Sequence, residues 1–79
     1  VTANEMFTRL MIHHHAAGAV MADFEAEHGE NGRVRAFARA IARVQRTEIN
    51  EINSAREKLG LAKVDAAEFE RALVEQHSH

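Results

Sequence analysis

Residues 28–32, His-Gly-Glu-Asn-Gly, form the strongest turn-forming stretch of the chain, and this stretch decides the fold. Two glycines and an asparagine this close together are typical of a loop between helices. The segments on both sides are long, rich in Ala, Glu, Arg and Leu, and free of proline, a composition that favours uninterrupted helices. Because a loop of about five residues makes two long helices antiparallel neighbours, the sequence predicts an all-α fold built on a helical hairpin.

Capping residues and glycines set the expected helix boundaries. Helix 1 is predicted over about residues 3–28, because Thr2 and Glu5 form a capping box at its start. Helix 2 is predicted over about residues 33–59 and ends before Gly60, a natural left-handed stop. A short third helix is predicted over about residues 66–75, after the capping residue Asp65. The chain is therefore expected to be a single helical module spanning residues 1–79.

Each long helix carries one stripe of mostly apolar residues at three- and four-residue spacing. The stripe of helix 1 contains Phe7, Leu10, Met11, His14, Gly18, Met21 and Glu25. The stripe of helix 2 contains Val34, Phe37, Ile41, Val44, Glu48, Ile52, Ala55 and Leu59. Two helices cannot enclose a core, and a chain of 79 residues is short for a stable domain. We therefore expect a second hairpin, from another copy or from a sister repeat of a longer chain, to complete a four-helix bundle.

Composition and motifs argue against several classes of function. The chain has no cysteine, so it can form neither a disulfide nor a thiolate metal site. Its formal charge of -2 gives no basic field for nucleic acid, and no apolar run reaches the roughly 18 residues of a membrane span. Glu25 and His28 form a Glu-x-x-His pair, but helix 2 has no histidine with which to complete a di-iron centre. With no nucleophile–base pair and no glycine-rich phosphate loop, we expect no enzymatic activity.

The arginines of helix 2 are interpreted as a solvated outer face, with a phosphate or lipid-headgroup site as the alternative. These residues are Arg33, Arg35, Arg39, Arg43 and Arg46.

Polar residues interrupt both apolar stripes. His14 lies on the stripe of helix 1, and Glu48 lies on that of helix 2 with Gln45 one turn earlier. An unpaired polar group in an apolar interior costs on the order of 1–3 kcal/mol, so each of these groups needs a partner. Gly18, one turn after His14, leaves space for a crossing helix or a ligand. One interpretation is a buried layer of His14 and Glu48 that fixes the register between helices.

A second interpretation is a soft-metal site on helix 1. Adjacent helical residues point about 100° apart, so His13, His14 and His15 cannot bind one ion as a run. The usable pairs are Met11 with His14, Met11 with His15, and His14 with Met21. Imidazole combined with thioether suits Cu(I) or Ag(I) better than zinc or magnesium. The residues alone leave both interpretations open, and packing in the core is the more common role for such side chains.

Two motifs give the chain a resemblance to a known family. The first is Phe7-Thr8-Arg9-Leu10-Met11-Ile12-His13-His14-His15 followed by Met21-Ala22, and the second is Gln45-Arg46-Thr47-Glu48-Ile49. In this order they resemble the signature of the bacterial "domain of unknown function 305" family, over about Asn4 to Leu59. The resemblance implies a ferritin-like four-helix bundle, often built from two hairpins in tandem, of which this chain would be one repeat. It also implies a protein that is exported or anchored to a membrane.

The same resemblance implies a set of site residues, because some family members bind copper or silver through histidine and methionine. The matched positions are Met11, His14, His15 and Met21 as metal ligands, with Gln45 and Glu48 orienting the imidazoles.

Three positions depart from the family pattern. Asn4 stands where the family usually has aspartate, and His13 stands where it often has proline. Ile52 replaces a methionine three residues after the Glu-Ile pair. The loss of that thioether removes one soft ligand from this copy of the hairpin.

Overall fold

A computed structural model describes residues 1–77 of the chain as three helices. Helix α1 spans Ala3–His28, helix α2 spans Gly32–Lys58, and helix α3 spans Ala66–Gln76. The two long helices pack against each other along their length, and residues 1–77 contain no strand. The predicted all-α hairpin with a short third helix is confirmed, and its helix bounds agree with the predicted ones to within one residue.

Side chains and one glycine fix the helix ends where the sequence predicts them. Thr2 Oγ1 accepts a hydrogen bond from the backbone N–H of Glu5 at 3.1 Å, and Asp65 Oδ1 accepts one from Glu68 at 3.1 Å. Asn31 Oδ1 accepts from two backbone N–H groups at the start of α2. Gly60 follows α2 with a φ of 77°, a conformation in which glycine is favoured because it has no Cβ. These caps satisfy backbone groups that a helix end leaves without partners.

The contact between α1 and α2 is narrow and lined with alanine. One buried cluster contains Ala22, Ala38 and Ala42, and a second contains Ile12, Ala16, Ile49 and Val64. Small side chains let two helix backbones approach closely, but they bury little apolar area. The hairpin therefore has a seam rather than a broad core.

The predicted stripe of α1 does not form this seam. The buried positions of α1 are Ile12, Ala16, Ala19 and Ala22. Phe7, Leu10 and Met21 of the predicted stripe are 65%, 58% and 73% exposed, and on α2 Phe37 and Val44 are 67% and 57% exposed. Within one chain these five large apolar residues thus lie beside or opposite the seam, which the alanines form together with Ile12 and Ile49.

Arg56 is the largest fully buried side chain, at 1% exposure. Its guanidinium lies 2.7 Å from Glu5 Oε2, and no other group donates a hydrogen bond to that oxygen. The guanidinium also donates to Thr8 Oγ1 and to the carbonyl of Ala62, at 2.8 Å each. The hydrogen bond with Arg56, aided by one with Arg9, holds the pKa of Glu5 below its ordinary value. This arginine ties the start of α1 to the end of α2 and to the segment that follows.

Helix α3 covers one side of the hairpin and packs mainly on α1. The rings of Phe69 and His13 stack with centroids 4.3 Å apart. Arg46 donates to the carboxylates of Asp23 and Glu70, at 2.7 Å to each, and so links all three helices. These hydrogen bonds, with Asp23 contributing most, raise the pKa of Arg46. Arg46, predicted to belong to a solvated outer face, has a side chain that is 40% exposed, and two carboxylates bind its guanidinium between the helices.

Among residues 1–77, no helix combines the length and the apolar character needed to cross a membrane.

We predict that Arg56→Ala destabilises the fold by about 3 kcal/mol, because it leaves Glu5 Oε2 without its partner and removes hydrogen bonds from a buried site. Urea denaturation followed by circular dichroism, at one fixed protein concentration, measures this change. Arg43→Ala is the matched control, since Arg43 is an exposed arginine of the same helix, and we expect it to change stability by less than about 0.5 kcal/mol. Equal losses from the two variants would contradict the assigned role of Arg56.

We also predict acid destabilisation that depends on Glu5. Because folding lowers the pKa of Glu5, its contribution to stability is complete above the ordinary value of 4.5 and is lost as the pH falls through the folded-state pKa. Urea midpoints measured from about pH 7 to about pH 3 should fall more steeply for the natural chain than for Glu5→Gln. Parallel curves for the two proteins would rule out this linkage.

Candidate functional site

His15 is the most constrained of the three consecutive histidines. Its Nδ1 lies 2.7 Å from the backbone carbonyl oxygen of Met11, one turn earlier in α1. Because a carbonyl oxygen only accepts hydrogen bonds, Nδ1 carries the proton in the neutral ring and Nε2 is the unprotonated nitrogen. The side chain is only 13% exposed. The local helix geometry therefore fixes both the tautomer and the direction of the ring.

Glu48 of α2 lies beside this imidazole. Its Oε2 is 3.6 Å from His15 Nε2, and its side chain is 47% exposed. The pair joins α1 to α2 at one edge of the seam and becomes an ion pair when the imidazole is protonated. Because Nε2 of the neutral ring has no proton to donate, this carboxylate does not hydrogen-bond it, but it can balance the charge of a cation bound at that nitrogen.

Gln45 fills the space over Gly18. A Cβ placed on Gly18 would lie 2.8 Å from Gln45 Nε2, closer than non-bonded atoms approach. The crossing helix that the sequence analysis considered at this glycine is therefore α2 itself. Gln45 and Glu48 are one turn apart on α2 and contact α1 at Gly18 and His15, so both predicted orienting residues lie beside the histidine segment.

His14 does not occupy the position expected of a buried polar layer. Within one chain it is exposed, and Glu48 contacts His15 instead. Consecutive residues of an α-helix point about 100° apart. His15 therefore faces α2, and His14 does not. The predicted His14–Glu48 layer is thus corrected to a His15–Glu48 pair in the single chain.

The two methionines of the predicted site have different surroundings. Met11 is half-buried and lies one turn before His14 and His15, whereas Met21 is 73% exposed. Met21 is seven residues after His14, about 10 Å further along the helix axis. Met11, His14 and His15 are therefore neighbours on consecutive turns of α1, and Met21 stands apart from them along the same outer surface.

The available donors limit the metals that this surface fits. Within residues 1–77 there is no group of three or more His, Cys, Asp or Glu side chains that could hold a metal ion. The neighbouring donors on α1 are imidazole nitrogens and a thioether sulfur, which are soft ligands suited to a monovalent ion such as Cu(I).

Sequence reasoning ranked His14 above His15, whereas the structure places His15 beside Glu48. The spacing that distinguishes them is visible in the sequence: Ile12, His15, Ala19 and Ala22 repeat at three and four residues, and three of these four are buried. Arg56 was missed altogether, although it lies seven residues after the buried Ile49, two helical turns along the same side of α2.

Comparison with known proteins identifies one related group. A family model described as "Domain of unknown function (DUF305)" matches residues 1–77 of the chain. No curated protein and no solved structure matches the chain. The family match covers both motifs on which the resemblance rests, while its description assigns no activity.

Proposed function

The chain belongs to the family described as "Domain of unknown function (DUF305)", and from the geometry of α1 we propose that it is a non-enzymatic module that binds a soft monovalent metal ion, Cu(I) or Ag(I). The observation that carries this proposal is the hydrogen bond of His15 Nδ1 to the Met11 carbonyl, at 2.7 Å. This bond leaves Nε2 unprotonated, which is the state that a metal-ligating imidazole requires.

The proposed ligands are His15, Met11 and His14, with Met21 as a further thioether on the same helix. The Met11 carbonyl would orient the imidazole through Nδ1, and Glu48, 3.6 Å from His15 Nε2, would balance the charge of the ion. Gln45 would pack beside the site against Gly18. The segment Leu10–Ala22 contains no Asp, Glu, Lys or Arg, so no charged side chain of this segment competes for the imidazoles or for the ion. These ligands would allow the chain to store or transfer a soft metal ion, because neither role needs a nucleophile or a general base.

The four-helix bundle that the sequence analysis expects requires a second hairpin. One chain buries mostly alanine and leaves Phe7, Met21, Phe37 and Val44 exposed. A second hairpin, from another copy or from a sister repeat, would cover such residues and produce a four-helix bundle.

A structural module without metal is the second candidate. It is favoured by the contact between His15 and Glu48, which joins α1 to α2 inside an otherwise apolar surface. A single polar layer of this kind can fix the register between helices at some cost in stability. In this candidate the methionines are packing residues of the completed bundle.

We predict that the chain competes for Cu(I) with a colorimetric chelator under anaerobic conditions, at one ion per chain or one per two chains. The tail residues His77 and His79, the second of which lies outside the described residues, are first replaced by alanine to remove stray binding. The double variant Met11→Leu and Met21→Leu should bind at least about tenfold more weakly, because a Met-to-Leu change keeps the volume and removes the sulfur ligand.

Met6→Leu is the matched control for this titration. Met6 is an exposed methionine of α1, at 55% exposure, and is not one of the proposed ligands, so its loss should leave the affinity unchanged. If the natural chain does not compete with the chelator for Cu(I), metal binding is rejected and the structural module is favoured. An equal loss of affinity in Met6→Leu and in the double variant would reject the assigned ligands.

A further inference from the structure

Asn31 differs from the other asparagines of the chain in its position. The chain has four asparagines, and Asn31 is the one that a glycine follows. Asn4, Asn50 and Asn53 all lie within helices. Asn31 instead lies between α1 and α2, where it is exposed and has extended backbone angles, with φ −95° and ψ 124°. Its side-chain amide is therefore the one most open to attack by the backbone nitrogen of the next residue.

The backbone nitrogen of Gly32 is not held in a hydrogen bond of the helix. Gly32 is the first residue of α2, so its N–H has no acceptor within that helix. The N–H groups that follow Asn50 and Asn53 lie inside α2 and donate to carbonyls four residues earlier. The N–H that follows Asn4 donates to Thr2 Oγ1 at 3.1 Å. Only at the start of α2 is the nitrogen after an asparagine left free to react.

Gly32 also leaves room for such an attack, because it has no side chain beside its nitrogen. A Cβ placed on Gly32 would lie 3.6 Å from Arg35 Nη2, an ordinary contact distance. Alanine therefore fits at this position in the folded chain, although its methyl group would crowd the nitrogen. Gly32→Ala is thus a variant that keeps the fold and hinders the reaction.

Two backbone N–H groups polarise the side-chain carbonyl of Asn31. Its Oδ1 accepts hydrogen bonds from the N–H of Arg33 at 2.9 Å and from that of Val34 at 3.1 Å. Donors at this oxygen stabilise the negative charge that it gains when a nucleophile adds to Cγ. The first turn of α2 contains no acidic residue, so no carboxylate of that turn opposes this charge.

We propose that Asn31 is a site of spontaneous covalent modification, at which the backbone of the chain itself converts the asparagine into an acid. The Gly32 nitrogen loses its proton to water and bonds to Asn31 Cγ. The Cγ–Nδ2 bond then breaks, and the departing nitrogen takes up a proton and leaves as ammonia, so that a cyclic imide remains. Water opens this imide at one of two bonds. Opening at the new bond gives an aspartyl residue, and opening at the original peptide bond gives an isoaspartyl residue, whose backbone runs through Cγ.

The two products have opposite effects on the start of α2. Each adds one negative charge to a chain whose formal charge is -2. Aspartate caps a helix as well as asparagine does, and its charge is favourable at the positive end of the helix dipole. An isoaspartyl residue adds one carbon to the backbone and moves the acceptor away from the N–H groups of Arg33 and Val34, so α2 loses its cap. The turn between the long helices therefore carries a reaction that strengthens one population of molecules and weakens another.

The test is incubation of the full chain at physiological pH and temperature, followed by peptide mapping with mass spectrometry. Electron-based fragmentation distinguishes the aspartyl from the isoaspartyl product. We expect Asn31 to convert about tenfold faster or more than Asn50, an internal control that is also exposed but has helical hydrogen bonds around it. Gly32→Ala should slow the conversion of Asn31 by about tenfold or more, because its Cβ crowds the attacking nitrogen. Circular dichroism verifies that this variant keeps its helices.

Urea denaturation of the separate forms measures the consequence for stability. Asn31→Asp reproduces the aspartyl product and should have a higher urea midpoint than the natural chain. Asn50→Asp is the matched control, because it adds the same charge to the same helix outside the first turn, where the helix dipole has little effect. It should give no gain. The isoaspartyl form, isolated from the incubated chain by ion exchange, should have a folding equilibrium constant about fivefold lower, the usual effect of losing an N-cap.

The outcomes are independent of the metal site and of any second hairpin. An Asn31 that stays intact during the incubation overturns the proposal, as do equal rates of conversion at Asn31 and Asn50. Conversion as fast in Gly32→Ala as in the natural chain overturns the assigned attack by the Gly32 nitrogen. A midpoint for Asn31→Asp no higher than that for Asn50→Asp overturns the assigned gain in stability. Conversion confined to Asn31 and slowed by Gly32→Ala supports the proposal, even when no Cu(I) binds.

Discussion

The alanine-lined contact between α1 and α2 is the constraint on which the rest of the molecule depends. Alanine lets the two backbones lie close together, but it contributes few buried carbon atoms per residue. The larger apolar side chains, such as Phe7 and Phe37, are consequently displaced to the outside of the seam. A hairpin built in this way is well defined in geometry and poor in buried area, and the proposed second hairpin would add the burial that one chain lacks.

Polar contacts compensate for the narrow seam at its two edges. Arg56 holds the open end of the hairpin through Glu5, Thr8 and the carbonyl of Ala62. Arg46 holds α3 against the middle of the hairpin through Asp23 and Glu70. The two arginines differ in environment, since Arg56 is fully buried whereas Arg46 is 40% exposed. The first therefore acts as a buried structural residue, and the second is open to screening by salt.

The sequence predicted local structure well because local structure has local causes. Thr2, Asp65 and Gly60 act on backbone groups within a few residues, so the helix ends could be located without any tertiary information. The prediction of which side of each helix is buried was less accurate. The most apolar stripe of α1 was expected to be buried, yet the seam is formed by Ala16, Ala19 and Ala22. Alanine gives a weak signal in a hydrophobicity pattern, and only the packing of both helices decides which side turns inward.

The candidate site shows the same division between local and tertiary information. The histidine segment and the partners Gln45 and Glu48 could be found by their spacing, but the choice between His14 and His15 depends on the rotation of α1 about its axis. Arg56 gives only a weak signal in the sequence, because a lone arginine near a helix end is usually exposed and its partner Glu5 lies 51 residues earlier.

The separation between Glu5 and Arg56 has a consequence for the order of folding. The loop between α1 and α2 is short, so pairing can begin beside the loop and spread outward, with each new contact close in sequence to the last. The Arg56 cluster lies at the far end of that progression and joins residues 51 positions apart. If these contacts form after the transition state, their free energy acts on the rate of unfolding rather than on the rate of folding. The buried arginine is in this sense a determinant of the lifetime of the folded hairpin.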